Sequence, residues 1–315
     1  MPRADAVDAV EVEALTRRFG DVTAVDGLRF HVAPAEIFGL VGPDGAGKTT
    51  TLRMLAGVLS PDSGSARVAG CDVVHEAELL KTRISYMPQH FGLYEDLTVD
   101  ENIRFYADLF GTSREAREER AGRLLAASGM SEFRGRLAGQ LSGGMKQKLG
   151  LTCALVHTPR VLLLDEPTTG VDPVSRRDFW RILYSLVDEG VTVVISTSYL
   201  DEAERCHRLA LLRNGHLLLC DTPPQLKSRM PGDVLVAASP RPRDVRDALL
   251  RAPGVRGALL VGTTVHLNVD GSARIPELER ALEAAGVPCD PLRRVEPTME
   301  DLFVAVVGEA VGGTP

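Results

Sequence analysis

A glycine-rich octet between a predicted strand and a predicted helix constrains this chain more than any other feature. Residues 36–41 are a short apolar run of strand length, and residues 49–59 space their apolar side chains as a helix does. The octet between them, GPDGAGKT at residues 42–49, fits the pattern G-x-x-x-x-G-K-[ST]. Glycines let backbone N–H groups and the helix N-terminus surround a negative charge. The octet therefore predicts a phosphate-binding loop in which Lys48 reaches the β- and γ-phosphates and the Thr49 hydroxyl binds Mg²⁺.

Two further apolar runs indicate the sheet to which this loop belongs. Residues 161–165 (VLLLD) and 191–196 (VTVVIS) have the length of buried strands. Between them we predict a helix with Asp172 as N-cap, Pro173 at the first helical position and Gly190 at its end. Uninterrupted apolar strands that alternate with helices predict an α/β fold with a parallel sheet covered on both faces.

An acidic pair, Asp165 and Glu166, ends the first of these strands. Ligands bind at the carboxyl ends of the strands in such sheets, so Asp165 can hold a metal through its water shell. Glu166 is then placed to orient or deprotonate an attacking water.

A second glycine-containing segment, LSGGMKQ at residues 141–147, precedes a predicted helix. The Ser142 hydroxyl, the N–H groups of Gly143 and Gly144, and the helix N-terminus form another surface that favours an anion. One chain thus carries two phosphate-binding ends.

The length of 315 residues predicts two domains. We place an α/β domain at residues 1–222 and a small α+β domain at residues 223–315, joined by a proline-bearing connection. Within the first domain, residues 89–153 are interpreted as an inserted helical subdomain. There Thr112 and Glu115 are predicted to form a capping box before a charged helix that begins at Arg114. In the second domain we expect strand, helix, two strands, helix, strand and helix, at residues 233–239, 242–252, 255–269, 275–285, 288–295 and 299–307.

Composition excludes several classes of function. A net charge of −7 argues against a chain that neutralises phosphate backbones, so we expect no nucleic-acid partner. The five cysteines lie far apart and are interpreted as reduced thiols. Acidic residues within the first 15 predict no secretion signal, and no run approaches the roughly 18–20 apolar residues of a membrane span. If the protein works at a membrane, another chain holds it there.

Five segments in this order carry a family resemblance: GPDGAGKTT, YMPQ, LSGGMKQ, LLLDEPTTGVDP and ISTSYLDEAE. Together they resemble the ATP-binding subunit of an ABC transporter, over residues 10–222. Residues 86–111 and 145–180 are similar to the ABC-2 exporter class, in particular its multidrug-efflux-like branch, and the tail VEPTMEDLF is similar to the extra C-terminal domain of those subunits. The resemblance implies a P-loop NTPase fold, with a RecA-like parallel sheet core and an inserted α-helical subdomain.

The resemblance also implies roles for individual residues. Phe19 would stack on adenine, where the family more often has tyrosine, although a plain core phenylalanine is the alternative. Gln89 would contact Mg²⁺ or the attacking water. Ser142 and Gly144 would cap a γ-phosphate bound by a second subunit, and Asp172 would cross the dimer interface. The nucleotide itself would lie against the first loop: Gly42, Pro43, Asp44, Gly45, Ala46, Gly47, Lys48, Thr49 and Thr50, with Gly143 in the second loop.

The implied function is that of an ATPase, with ATP and Mg²⁺ as cofactors, that energises an ABC-2-type exporter of drugs or other small amphipathic compounds. Its partners would be a separately encoded membrane-spanning permease and a second ATP-binding subunit, identical or different, at the cytoplasmic face of the cell membrane. Two alternatives stay open: a non-transport member of the same ATPase group, and a regulatory subunit that hydrolyses ATP weakly.

Two positions depart from the family pattern. Met145 replaces the commonest glutamine of the signature, as is usual in export subunits of this class. Ser198 occupies the position at which the family normally has a histidine that contacts the γ-phosphate. A serine is shorter and uncharged at every pH. His207 is assigned to the following helix and is not expected to replace it. We therefore expect slow hydrolysis as a homodimer, or pairing with a different subunit that supplies a competent site.

Overall fold

The computed structural model describes residues 8–312, with side chains up to residue 306. The chain divides into two compact units between Cys220 and Asp221, close to the boundary expected after Thr222. The expected lack of a secretion signal rests partly on residues 1–7, which lie outside the described residues. Across residues 8–312, no helix has both the length and the apolar character needed to span a bilayer. All five cysteines lie within the described residues, and none of them forms a disulfide bond.

Between residues 8 and 221, the structure describes ten strands and seven α-helices. The strands are β1 (Val10–Phe19), β2 (Val22–Val32), β3 (Ile37–Val41), β4 (Ser63–Val68), β5 (Cys71–Asp72), β6 (Ile84–Met87), β7 (Val161–Asp165), β8 (Thr192–Thr197), β9 (Arg208–Arg213) and β10 (His216–Asp221). The helices are α1 (Lys48–Leu55), α2 (Ala77–Lys81), α3 (Val99–Leu109), α4 (Arg114–Ala127), α5 (Gly143–Leu155), α6 (Pro173–Asp188) and α7 (Leu200–Ala203).

A six-stranded sheet, in the order β10-β9-β3-β8-β7-β6, forms the centre of the first unit. The neighbouring pairs from β9 to β6 are parallel. Strands β3, β7 and β8 are buried at every position, because apolar clusters cover both faces of the sheet. The predicted parallel α/β sheet is thus confirmed. Parallel strands end at the same edge, so the segments after β3, β6, β7 and β8 converge there.

A second sheet, β2-β1-β4-β5, is antiparallel and was not predicted from the sequence. Its strand β1 buries Val10, Val12 and Leu15 but leaves intervening positions partly exposed. Breaks in register interrupt the alternation after Val12 and again after Leu15. These bulges obscure the period of two by which a half-buried strand is recognised.

The helices α3 and α4 and one side of α5 form a lobe with its own apolar core, which includes Val99, Ile103 and Leu125. The predicted capping box at Thr112 is wrong. Ser113 is the N-cap of α4, and its hydroxyl accepts the Ala116 N–H at 3.3 Å. Glu115 cannot complete a capping box with Thr112, because the Thr112 N–H donates to Ala107 in the preceding helix. A capping box does form at the start of α3, between Thr98 and Glu101.

The second unit is a small α+β domain, as the order of its elements predicted. It contains α8 (Pro223–Ser228), β11 (Asp233–Ala238), α9 (Pro242–Leu249), β12 (Val255–Val261), β13 (Thr264–Val269), α10 (Ile275–Ala284), β14 (Arg293–Val295) and α11 (Met299–Gly312). The sheet order is β12-β13-β11-β14, with antiparallel neighbours. The last strand and α9 are clearly shorter than predicted, whereas β11 and α10 each end one residue early. The last strand is reduced to β14 because Pro288 and Pro291 lack N–H donors, and α9 ends before Pro253.

Candidate functional site

The loop between β3 and α1 is shaped by two close backbone approaches. A Cβ atom at Gly42 would lie 2.3 Å from the Leu212 carbonyl oxygen, and one at Gly47 would lie 2.5 Å from that of Ala24. Gly47 also has a φ of +99° as the N-cap of α1. Only glycine meets these requirements without strain. The loop therefore closes tightly over the N-terminus of α1, in the geometry that binds phosphates.

Lys48 lies buried inside this loop. Its Nζ atom donates to the carbonyl oxygens of Gly42 at 2.7 Å and Pro43 at 3.0 Å, and lies 3.0 Å from the Glu166 carboxylate. A buried ammonium needs such partners because desolvation otherwise disfavours its charge. An incoming phosphate can take over these bonds, since phosphate oxygens are strong acceptors for lysine.

Asp165, the last residue of β7, is 1% exposed and accepts from three hydroxyl groups. The Thr49 hydroxyl lies 2.9 Å and the Ser196 hydroxyl 2.7 Å from its Oδ1 atom, while the Tyr86 hydroxyl lies 3.3 Å from its Oδ2 atom. Burial and the Asp165 charge raise the pKa of Tyr86 to about 12, so its hydroxyl stays a donor. The adjacent oxygens of Thr49 and Asp165 suit Mg²⁺, which takes few protein ligands when phosphates supply the rest.

Tyr86 and Ser196 were missed by the sequence reasoning. Tyr86 lies on β6 and Ser196 on β8, the two strands beside β7, and Ser196 stands in register with Asp165. Ser196 also accepts the Glu166 N–H at 2.9 Å. A polar residue at the end of an otherwise apolar strand is the one signal that could have indicated Ser196.

Glu166 follows β7 with a φ of +46°, a conformation that non-glycine residues adopt at a cost. One oxygen of its carboxylate pairs with Lys48, and the other accepts from Gln89 at 3.4 Å and from Thr169 at 3.3 Å. A cavity of about 820 Å³ opens here. Its lining includes Asp44, Gly45, Ala46, Gly47, Lys48, Thr49, Thr50, Gln89, Glu166 and Ser198. The structure thus brings together most of the predicted first-loop residues with Gln89, Glu166 and the exposed Ser198.

His207 is far from this cavity along the sheet. Its Nδ1 atom accepts the N–H of Ile37, the first residue of β3, whereas the cavity lies beyond the last residue of that strand. The assignment of His207 to a helix is wrong, because α7 ends at Ala203 and His207 lies just before β9.

The second glycine-containing segment, at the start of α5, does not line this cavity. Ser142 is the N-cap of α5, where its hydroxyl accepts the Met145 N–H at 3.3 Å, and Asp172 is the N-cap of α6. A Cβ atom at Gly144 would lie 2.6 Å from the Ser175 hydroxyl oxygen, so these two helix starts pack together. The N–H of Ser175 holds the pKa of Asp172 below its ordinary value. Ser142, Gly143, Gly144 and Asp172 are not among the residues that line the cavity over Lys48.

Phe19 ends β1 and is 48% exposed, which rules out the alternative of a core phenylalanine. The Arg17 guanidinium lies 4.9 Å from its ring centroid. Phe19 pairs with Val22 at the β1–β2 turn, and Val22 lines the cavity. Phe19 is not among the described residues that line the cavity.

Comparisons with known proteins agree with this geometry. Residues 25–169 match the family model described as "ABC transporter". The chain is 45% identical, over 97% of its length, to the "Probable multidrug ABC transporter ATP-binding protein" of Escherichia coli K12, and it spans 53% of that relative. It is 38% identical to the Nod factor export ATP-binding protein I of Burkholderia pseudomallei 1710b, with 96% of this chain and 98% of the relative covered. It is 40% identical to the daunorubicin/doxorubicin resistance ATP-binding protein of Streptomyces peucetius, with 88% and 83% covered.

Solved structures show the same fold. An ATP-binding subunit of an ABC transporter superposes with a TM-score of 0.65 at 28% identity, with 70% of this chain and 92% of the other covered. A nucleotide-free ATP-binding cassette superposes with a TM-score of 0.63 at 25% identity, with 70% and 94% covered. The loop around Lys48, the acidic end of β7 and these relatives lead to one conclusion: the chain belongs to the family of ABC transporter ATP-binding proteins.

Proposed function

We propose that this chain binds ATP with Mg²⁺ and hydrolyses it to energise an ABC-2-type exporter. The observation that carries the proposal is the division of the phosphate-binding groups over two surfaces. The cavity over Lys48 is built by one chain, whereas Ser142 and Gly143 are exposed and outside it. A second subunit would place its own Ser142 segment over this cavity, and the Ser142 segment of this chain would cover the site of the partner.

The chemistry follows from the partners of Lys48. When a triphosphate takes up the Lys48 ammonium, the Glu166 carboxylate loses its ion pair and becomes available to a water molecule. Glu166 then orients that water and accepts its proton, with Gln89 beside it. Thr49 and Asp165 would hold Mg²⁺, which supplies charge neutralisation on the phosphates. Loss of the γ-phosphate removes the bridge between the subunits and reopens the pair.

A groove on the first unit supports the proposal that the chain binds a membrane-spanning partner. It has a volume of about 700 Å³ and is lined by aromatic and apolar side chains, among them Tyr86, Phe91, Tyr106, Leu109, Phe110 and His157. Leu109 is 66% exposed, and exposed apolar patches of this kind mark protein interfaces. The groove fits a short helix of a permease, which would hold the chain at the cytoplasmic face of the cell membrane.

The relatives suggest the cargo. Their names concern multidrug transport, Nod factor export and daunorubicin resistance, so drugs or other small amphipathic compounds are the proposed class. Residues 1–222 would form the ATP-binding domain, and residues 223–315 an accessory domain. Ser198 in the cavity favours slow hydrolysis by a homodimer, or a heterodimer with a competent second site.

The Glu166→Gln variant tests this function. It keeps the shape of the side chain but loses the base, so bound ATP persists and the pair stays closed. We expect sedimentation to show a dimer with ATP and Mg²⁺ and a monomer without nucleotide, while wild-type chain hydrolyses ATP. The matched control is Glu115→Gln, an exposed position at the start of α4. A Glu166→Gln variant that binds ATP yet stays monomeric contradicts a site shared by two copies of this chain.

A further inference from the structure

A buried carboxylate outside the proposed machinery joins the segments around the cavity. Glu202 of α7 is 0% exposed. The Thr168 hydroxyl donates to its Oε1 atom at 2.6 Å, and the Thr197 hydroxyl donates to its Oε2 atom at 2.8 Å. From α6, the indole N–H of Trp180 donates to Oε1 at 3.3 Å, and the Arg176 Nε atom lies 3.6 Å from Oε1.

The two threonines belong to the two loops that carry the proposed catalytic side chains. Thr168 follows Glu166 in the loop that ends at Asp172, and Thr197 ends β8 immediately before Ser198. The Thr197 hydroxyl also accepts the Tyr199 N–H at 3.0 Å. Both loops are therefore fastened to the two oxygens of one carboxylate.

Helix α6 adds a third attachment. Arg176 lies one turn after Asp172, and its N–H donates to the Asp172 carbonyl oxygen at 2.9 Å. Its guanidinium lies 4.3 Å from the ring centroid of Tyr199, beside Ser198. The N-terminus of α6 and the segment that contains Ser198 are thus in direct contact as well as joined through Glu202.

A buried carboxylate is a costly way to stabilise a fold, because desolvation opposes its charge and well-packed apolar side chains often serve as well. What such a group supplies is rigidity, because hydrogen bonds to a buried carboxylate are strengthened by the low dielectric and hold their donors in place. Position matters more with Ser198 than with a longer side chain, because serine has little reach with which to compensate a displaced loop.

We propose that Glu202 is a positioning residue for ATP hydrolysis, which holds the loop at residues 166–172 and the loop at residues 197–199 as one body. This inference rests on the proposed function. It implies that Glu166 and Ser198 approach the same γ-phosphate together, and that Asp172 moves with them when a second subunit binds. A misplacement of about 1 Å in such an arrangement costs roughly a hundredfold in rate.

The test compares three hydroxyl or N–H deletions around the same carboxylate. Thr168→Val and Thr197→Val each remove one loop bond and keep the side-chain shape. Trp180→Phe, the control, removes a bond from the helix together with part of a buried ring, so it should lower Tm as well. We expect each threonine variant to lower kcat for ATP about tenfold or more, with KM for ATP unchanged. The double variant should be about as slow as the slower single variant, because both bonds act through one group. Trp180→Phe should keep kcat within about twofold of wild type.

A role confined to stability gives a different pattern, in which kcat falls in step with Tm across all three variants. That result, or wild-type kcat in both threonine variants, would overturn the proposal.

Hydrogen exchange at the Tyr199 N–H provides a readout that needs no turnover. Thr168→Val should increase exchange there by about tenfold, although the substitution lies in the other loop. If wild-type chain does not hydrolyse ATP, the proposed function fails, and the exchange result alone decides on Glu202. Unchanged exchange at Tyr199 in Thr168→Val means that the two loops are independent and Glu202 does not couple them.

Discussion

The segments around Lys48 and Ser142 contain the same chemical parts in different surroundings. Each places glycines and a hydroxyl-bearing residue at the N-terminus of a helix. The Lys48 loop is enclosed by its own chain, with Leu212 and Ala24 against its glycines and Glu166 against its ammonium. At the other segment, Ser142 and Gly143 face outward. The same chemical parts therefore form a pocket in one place and an exposed surface in the other.

The difference follows from the structural elements that lie opposite the N-terminus of each helix. The loop before α1 lies where four parallel strands end, so β6, β7 and β8 supply side chains on its far side. At the start of α5, Gly144 lies against Ser175 of α6, whereas Ser142 and Gly143 are exposed. An anion at Ser142 would need a second wall from another molecule.

The largest expected effect is at Lys48. Lys48→Ala removes the ammonium inside the loop, so we expect ATP affinity to fall about a hundredfold or more, measured by binding of a fluorescent ATP analogue. Lys81→Ala is the control, since Lys81 is exposed and pairs with Glu78. Equal affinity for Lys48→Ala and wild type would break the comparison, because the enclosed loop would then not be the nucleotide site.

The second prediction separates the two segments. Ser142→Ala removes an N-cap hydroxyl, so we expect ATP binding by the single chain to stay unchanged while the hydrolysis rate falls about tenfold. In the Glu166→Gln background, the same change should weaken ATP-dependent pairing.

The matched control for that prediction is Ser113→Ala. The Ser113 hydroxyl accepts a backbone N–H at 3.3 Å as the N-cap of α4, as the Ser142 hydroxyl does for α5. Both variants should lose about 1 kcal/mol of stability. Equal hydrolysis rates in the two variants would show that Ser142 is only a helix cap.

The third prediction concerns Ser198, on the enclosed side of the comparison. Ser198→His introduces a longer side chain that can bond the γ-phosphate, so we expect the single-turnover rate to rise about tenfold. Ser198→Ala should lower it about tenfold, because it removes the hydroxyl that faces the cavity at this position. An unchanged rate in Ser198→His contradicts the deficit that we infer from this position.

The smallest effect is at His157, in the groove and away from both segments. Its ring stacks on Phe110 with centroids 3.8 Å apart, its Nε2 atom bonds the Ile84 carbonyl oxygen at 3.1 Å, and burial lowers its pKa below 6.5. Between pH 6.5 and the lower pKa of the folded state, His157 is protonated in the unfolded chain but not in the folded chain. The free energy of unfolding therefore decreases as the pH falls through this range.

His157→Gln should remove this part of the acid sensitivity, so the decrease in Tm between pH 7.5 and pH 5.5 should shrink by roughly 2 °C. ATP affinity at neutral pH should stay unchanged. His75→Gln is the control, because His75 is exposed. The same decrease in Tm for His157→Gln and wild type would show that His157 is not the group that titrates.

Much of the site could be predicted because its parts are local in the chain. Lys48 and Thr49 follow from one octet, Asp165 and Glu166 from the end of one strand, and the cap at Asp172 from the residue itself. The sheet β2-β1-β4-β5 could not be predicted, since its bulged strand β1 lacks a clean period of two. The N-cap of α4 is Ser113, and no capping box forms at Thr112 because the Thr112 N–H donates to Ala107.

The sequence by itself determined the loop around Lys48, the buried parallel strands and the family, because each depends on residue types at fixed spacing. Tertiary structure decided which residues meet. Tyr86, Ser196 and Glu202 meet their partners across strands and helices far apart in the chain, at separations of 79, 31 and 34 residues from Asp165 or Thr168. The contrast between an enclosed Lys48 and an exposed Ser142 also arises only in three dimensions, since a motif specifies its own backbone but not what lies opposite it.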